Sequence, residues 1–458
     1  MDNYDERVKI AFIGGGSVQW TPKLATDLAL NETLAGADLV LHDIDADALE
    51  SLKRACERIV EQVDGNLNLT ITTDRAEALR DADFVILCIG IGGLAAMRND
   101  LEIPERYGIY QAVGDTVGPG GLARGLRHIP FAVQVARDME ELCPDAWMLN
   151  LTNPMTTICR GMTRATRIRT IGLCHEVTGV RNHLASLFDV PVERMEVEVA
   201  GINHLPVILR FDADGQDGME LLRGWLAEHG AFGSVGEVEL NTVFDVFIDR
   251  LAVKLTLFEQ LGVLFGAGDR HVAEFFPGFL TEASEWGKRY GVVLTNVDQR
   301  AEMVRLRQVQ IEYLVNGGAE TLRHSDEQLA RVMAALAGGP AGRFIVNVPN
   351  QGQIDNLPRD AVVECIAEVD ALGMRPLAVG ALPYPAYAAI APHVARQELI
   401  VEAALIGRRE PALAALATDP LVRDPATVEP MLDELLAANA RFMNPDFLGD
   451  SVTFNAIE

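Results

Sequence analysis

Val8-Lys9-Ile10-Ala11-Phe12-Ile13-Gly14-Gly15-Gly16-Ser17 decides the fold. The run up to Ile13 is apolar apart from Lys9 and does not alternate, the pattern of a strand covered on both faces. Glycines stop it, and Leu24, Leu28 and Leu30 give a loose helical stripe behind them. Strand, glycine turn and helix in that order open a nucleotide-binding α/β unit. The alternation then continues: apolar runs at 37–42, 67–72, 84–89, 146–151 and 170–173 read as strands, with helical stretches such as 46–63 between them. The spacing predicts a Rossmann-like, doubly wound parallel sheet over residues 1–190.

Past residue 190 the pattern changes. Stretches 196–200 and 205–211 read as strands of a mixed sheet, and 241–264 as one long apolar helix. Helices are expected at 296–316 and 326–336, a strand at 343–349, and an alanine-rich helical tail over 392–439. Residues 191–458 are therefore read as a second, substrate-side α+β region after the Rossmann-like domain over 1–190.

With 458 residues, 49% hydrophobic and 23% charged, the chain has ordinary globular composition and length for two or three packed units. Acidic residues outnumber basic ones 66 to 39, a net charge of −27 that repels phosphate backbones and anionic membranes. Nucleic acid and membrane are not expected as partners. No basic leader precedes an apolar stretch, no apolar run approaches the roughly 18 residues of a spanning helix, and six scattered cysteines suit a reducing compartment. A cytoplasmic protein is expected.

Gly14, Gly16 and Ser17 suit a turn whose backbone N–H groups approach a pyrophosphate. Gln19 stands where the third glycine of G-x-G-x-x-G belongs, so a generic strand-to-helix turn fits as well. Asp43, ending the second strand, is placed to hold ribose hydroxyls and to favour NAD over NADP. Cys174-His175-Glu176-Val177 follows a strand, and Gly201-Ile202-Asn203-His204 follows another. A cysteine and a histidine so placed are either part of a divalent metal sphere or unrelated packing residues. Asn153, in Asn153-Pro154-Met155, either binds sugar hydroxyls or caps a helix. Residues 114–121 form a glycine-heavy loop bearing Asp115, costly to order unless something binds it.

These segments, with Asn356-Leu357-Pro358 and Val363-Glu364, together resemble glycoside hydrolase family 4, whose nucleotide domain is similar to lactate and malate dehydrogenases. The resemblance spans most of the chain. It implies a glycosidase outside the two-carboxylate scheme: NAD⁺ takes a hydride from sugar C3, the C2 proton becomes acidic, its loss expels the C1 substituent, and water then adds and the hydride returns. It implies Mn²⁺ on Cys174 and His204, substrate contacts at Arg98 and Asn153, and His175 assisting the leaving oxygen. A homodimer or homotetramer is also implied.

The family's tyrosine base aligns with a segment where this chain has Phe275 and Phe276, which take no proton. Asp115, His271, Asp269 or a metal-bound hydroxide are the substitutes. The Cys-His-Glu-Val quartet, with Glu176 placed toward substrate, resembles the α-galacturonidase type, so a pectin-derived uronide is expected. Its carboxylate needs a cation, and Arg270 is either that cation or a solvent-exposed arginine. The competing readings are a neutral α-glucosidase or α-galactosidase of the family, a net NAD-dependent sugar dehydrogenase, and an inactive NAD-binding sensor.

Overall fold

The computed structural model describes residues 7–231 and 240–443. Its strands are β1 (Lys9–Ile13), β2 (Ala37–His42), β3 (Leu67–Thr72), β4 (Phe84–Leu87), β5 (Trp147–Asn150), β6 (Arg169–Gly172), β7 (Met195–Ile202), β8 (Leu205–Ala213), β9 (Gln216–Asp217), β10 (Leu264–Phe265), β11 (Gly342–Pro349), β12 (Val362–Asp370) and β13 (Gly373–Pro376). They form one sheet in the order β10-β8-β7-β12-β11-β6-β5-β4-β1-β2-β3, with β13 on β12 and β9 on β8.

The first six strands run parallel in the order 3-2-1-4-5-6, the doubly wound arrangement that opens a ligand crevice where the order reverses between β1 and β4. Side chains alternate across it. Ile10 and Phe12 pack with Leu24, Leu28 and the helix Leu329–Leu336 on one face. Ala11 and Ile13 pack with Leu122, Leu126 and Ile129 of the helix Gly118–Leu142 on the other. Both faces being covered is why β1 is apolar from Ile10 to Ile13. The remaining strands pair antiparallel, and β11 and β12 lie between β6 and β7, so the sheet runs unbroken across residue 190. No helix among the described residues is long and apolar enough to cross a membrane.

Three expected elements differ. The helix read over 241–264 is only Ala252–Leu261, followed by β10. Leu251 sits at φ 60°, and the first amides of the helix, Val253 and Lys254 N–H, donate to Asp269 at 3.0 and 3.2 Å. A cap supplied by a residue that far along the chain leaves no local signature. The glycine-heavy stretch 114–121 is not all loop either, because Gly118–Leu142 is helical. A Cβ at Gly121 would stand 2.4 Å from the Thr116 carbonyl carbon, and one at Gly120 2.8 Å from Gly114 O. Those glycines allow the helix to press on the loop. The tail helix begins before the expected 392, at Tyr384, and carries Pro392 inside it.

Candidate active site

The end of β1 is built for close approach. Gly14 adopts φ 94°, and a Cβ there would lie 2.0 Å from Cys88 O. Gly14 and Gly15 N–H donate to His42 O at 2.9 and 2.8 Å, and Gly16 N–H to Asp43 Oδ2 at 2.9 Å. Ser17 Oγ accepts from Trp20 N at 3.3 Å, just before the helix Thr21–Ala29. The structure thus brings Gly14, Gly16, Ser17 and Asp43 together at the crevice. A glycine turn packed too closely for any side chain, with the Asp43 carboxylate beside it, fits a dinucleotide. Across the crevice, His128 Nδ1 is 2.8 Å from Arg124 O, so it carries the proton, and Nε2 accepts Ile91 N–H at 3.1 Å.

Next to this crevice stands the one group of three His, Cys, Asp or Glu side chains among the described residues whose ligand atoms lie within 4.8 Å of one another: Asp115, His204 and His271. Asp115 lies on the loop ahead of Gly118, His204 in the β7–β8 turn at φ 65°, and His271 in the helix Asp269–Phe275. The Thr116 hydroxyl links two of them, donating to Asp115 Oδ1 at 2.7 Å and lying 2.9 Å from His204 Nδ1. A hydroxyl has one proton, so His204 donates from Nδ1 and keeps the Nε2 lone pair free. His271 Nδ1 is buried with no partner among the described residues.

Burial pushes both imidazoles down, His204 to about 3 and His271 to about 4; His271 also disfavours charge on His204, and Arg270, His175 and Arg300 disfavour it on His271. Burial pushes the Asp115 carboxyl the other way, but His271, His204, Arg124 and the Thr116 hydroxyl outweigh it and hold the group below the usual carboxylate range. One carboxylate and two neutral imidazoles are donors that suit a divalent transition ion. The cluster therefore fits the metal that the resemblance implies.

Cys174 is not one of the three. Its thiol is pushed well up, first by burial and then by Glu364 and Glu176, with the Asn203 amide against it. Glu364 Oε2 accepts Asn203 Nδ2 and Asn347 Nδ2, both at 2.9 Å, while Oε1 is buried without a partner among the described residues. Burial raises this carboxyl to about 7.

Asn153 Nδ2 donates to Asp115 Oδ2 at 3.2 Å, and its Oδ1 is buried and unpartnered among the described residues. It caps nothing: the helix Met155–Ala165 starts from Pro154 with no side-chain cap. His175 Nδ1 lies 3.3 Å from Glu327 Oε1, which also binds Lys23 Nζ at 2.7 Å. Glu176 Oε2 accepts Gly268 N–H at 2.8 Å, and its Oε1 stands 3.7 Å from His175 Nε2 and 3.8 Å from His271 Nε2.

Other expectations fare differently. Arg98 contacts Glu102 and Asp298, each at 2.6 Å, instead of any residue of the cluster. Asp269 is no free base, because it binds Lys254 Nζ at 2.8 Å and caps a helix. Phe275 and Phe276 pack against His393 and Phe265. Arg270 is not a solvent-exposed arginine; it holds Ala112 O and Thr295 Oγ1. Thr116, Glu274, Glu327 and Arg300 were missed. Only Thr116, adjoining Asp115, and Glu274, one helical turn from His271, had a local signal.

The model of the family 4 glycosyl hydrolases matches residues 9–190, and that of the same family's C-terminal domain matches residues 199–422. An alpha-galacturonidase of Thermoanaerobacterium saccharolyticum is 36% identical over 430 residues, covering 91% of this chain and 92% of its own. The crystal structure of lplD from Bacillus subtilis, provisionally described as a glucosidase, superposes with a TM-score of 0.87 at 34% identity over 94% of this chain and 100% of its own. A 6-phospho-alpha-glucosidase from gut microorganisms, solved with NAD and Mn²⁺, has the same fold at a TM-score of 0.80 and 23% identity, covering 96% of this chain and 99% of its own.

Proposed function

The chain belongs to family 4 of the glycosyl hydrolases, and from that premise we propose that it hydrolyses α-galacturonides, of the kind released from pectin, with NAD⁺ and Mn²⁺. The observation that carries the reading is the Asp115, His204 and His271 cluster beside the Gly14 cradle. The α-galacturonidase relative supports the choice of glycone, and the relative solved with NAD and Mn²⁺ supports the two cofactors. When bound, the dinucleotide supplies reversible hydride transfer at sugar C3 and the cation supplies Lewis acidity toward the C2 and C3 oxygens.

The protein does the rest. Gly14, Gly16, Ser17 and Asp43 seat the dinucleotide. Asp115 and His204, joined through Thr116, hold the cation. Asn153 offers its unpartnered Oδ1 to a sugar hydroxyl. His271 is neutral above about pH 4 and has Nδ1 unused, so it takes the C2 proton in place of the absent tyrosine. Glu327 keeps a proton on His175, which gives it to the leaving oxygen. Glu176, anchored on Gly268, spans the two imidazoles and keeps them apart.

The test is product release from α-digalacturonate and from α-nitrophenyl glucoside and galactoside, with NAD⁺, Mn²⁺ and a thiol reductant each supplied and omitted. Cleavage of the uronide that needs both cofactors is expected. Cleavage of a neutral glycoside alone overturns the substrate reading, and NADH accumulating in step with substrate overturns the hydrolase mechanism.

A further inference from the structure

Arg270 and Arg300 reach the same stretch of backbone from different helices, Asp269–Phe275 and Val297–Val315. Arg270 Nη2 donates to Ala112 O at 3.1 Å and to Thr295 Oγ1 at 2.5 Å; Arg300 Nη2 donates to Val113 O at 2.9 Å. Asp115 follows directly on that stretch. A guanidinium has five N–H donors, and here most of them are idle: Nε of both residues is buried without a partner, and neither side chain joins an ion pair among the described residues.

Partly buried cations this close disfavour one another. Arg270 is pushed down to about 10, first by burial and then by Arg300. Glu274 and Asp115 favour the charge on both and Glu176 that on Arg270, but none of these carboxylates hydrogen-bonds either guanidinium among the described residues; Glu274 Oε1 is held instead by Val113 and Gly114 N–H at 2.7 and 2.9 Å. An unpaired charge withdrawn from water is costly, and a chain of net charge −27 has carboxylates enough to pair it. Two arginines with no directly bonded carboxylate beside the cation cluster leave their free donors for an anion from outside. The planar guanidinium fork matches a carboxylate.

We propose that Arg270 and Arg300 together bind the C6 carboxylate of the sugar and so separate uronides from neutral glycosides. The inference rests on the α-galacturonide reading of the site. Arg270 beside His271 sets the carboxylate end of the sugar against the proton-accepting end, and Arg300 is the second half of the clamp.

The experiment compares wild type, Arg300→Gln and Arg300→Lys, each loaded with NAD⁺ and Mn²⁺, on α-digalacturonate and α-nitrophenyl galactoside, with galacturonate binding followed by calorimetry. In Arg300→Gln the ratio of kcat/KM for uronide over galactoside falls roughly thirty-fold or more, mainly through KM, as expected when one partner of a sequestered charge pair is removed. Arg300→Lys, which keeps the charge and loses the fork, recovers part of it. An equal loss on both substrates with a lowered Tm makes Arg300 only a brace for residues 112–113 and overturns the proposal, as does an unchanged ratio. A wild type that cleaves no uronide refutes the functional reading; the clamp then stands if galacturonate still binds in an Arg300-dependent way, and falls if it does not.

Discussion

The imidazole rings of His204 and His271 lie 3.7 Å apart, centroid to centroid, at an interplanar angle of 35°. Two rings so close cannot both carry a proton cheaply, and burial favours the neutral form further. Neutral imidazoles beside the Asp115 carboxylate leave lone pairs for a cation and for a substrate proton, as the proposed metal site and base require.

The first consequence concerns the metal. Mn²⁺ should raise the Tm of the wild-type protein, by a margin that at a hundredfold excess over Kd corresponds to about 2.7 kcal/mol. Asp115→Asn and His204→Ala should lose most of that shift. His271→Ala should keep more of it while losing C2 proton exchange in deuterated water. Thermal scans with and without Mn²⁺ measure this. If Cys174→Ser loses the shift and Asp115→Asn retains it, the donor set is Cys174 with His204, as the sequence resemblance implies.

Glu364 sets a pH dependence of stability. Its carboxyl stands at about 7 in the folded protein against an ordinary 4.5, chiefly through burial. The folded state therefore binds the extra proton between these values, and its contribution is complete below 4.5 and lost as pH rises through 7. Glu364→Gln keeps an acceptor for Asn203 and Asn347 and cannot ionise. The variant should gain on wild type as pH rises from about 4.5 to above 7, by up to about 3 kcal/mol. Calorimetric scans of the metal-free proteins across that range test it; a difference independent of pH refutes it.

Lys254 joins two distant carboxylates. It is fully buried, with Asp249 at 2.5 Å and Asp269 at 2.8 Å. Lys254→Met removes the cation and leaves two buried acids, so a loss of about 3–5 kcal/mol is expected. Asp269 begins the helix that carries Arg270 and His271, so galacturonate affinity should weaken as well. Denaturant unfolding and calorimetry measure both, and a stability loss under about 1 kcal/mol would contradict the account.

Much of this was legible in the chain. The turn at Gly14 showed itself because only glycine tolerates φ 94° with a carbonyl oxygen where its Cβ would be. The helix Val297–Val315 was expected over 296–316, and in the structure the Asn296 side chain caps it. By contrast, the helix Ala252–Leu261 was overextended because its true start is set by Asp269, and the same contact removed Asp269 from the candidate bases.

What the sequence determined by itself was local: which runs become buried strands, where glycine must stand, and which histidines, cysteine and acids follow strand ends. Periodicity and backbone sterics act over a few residues, and those rules read directly. Only the tertiary structure decided that Asp115, His204 and His271 meet, that Glu327 holds His175, and that Arg300 joins Arg270 on residues 112–113. These pairings depend on the order of strands in the sheet and on how the later helices settle over the crevice. That order arises from burying apolar faces over the whole chain, and no short stretch of residues encodes which polar side chains the packing then brings together.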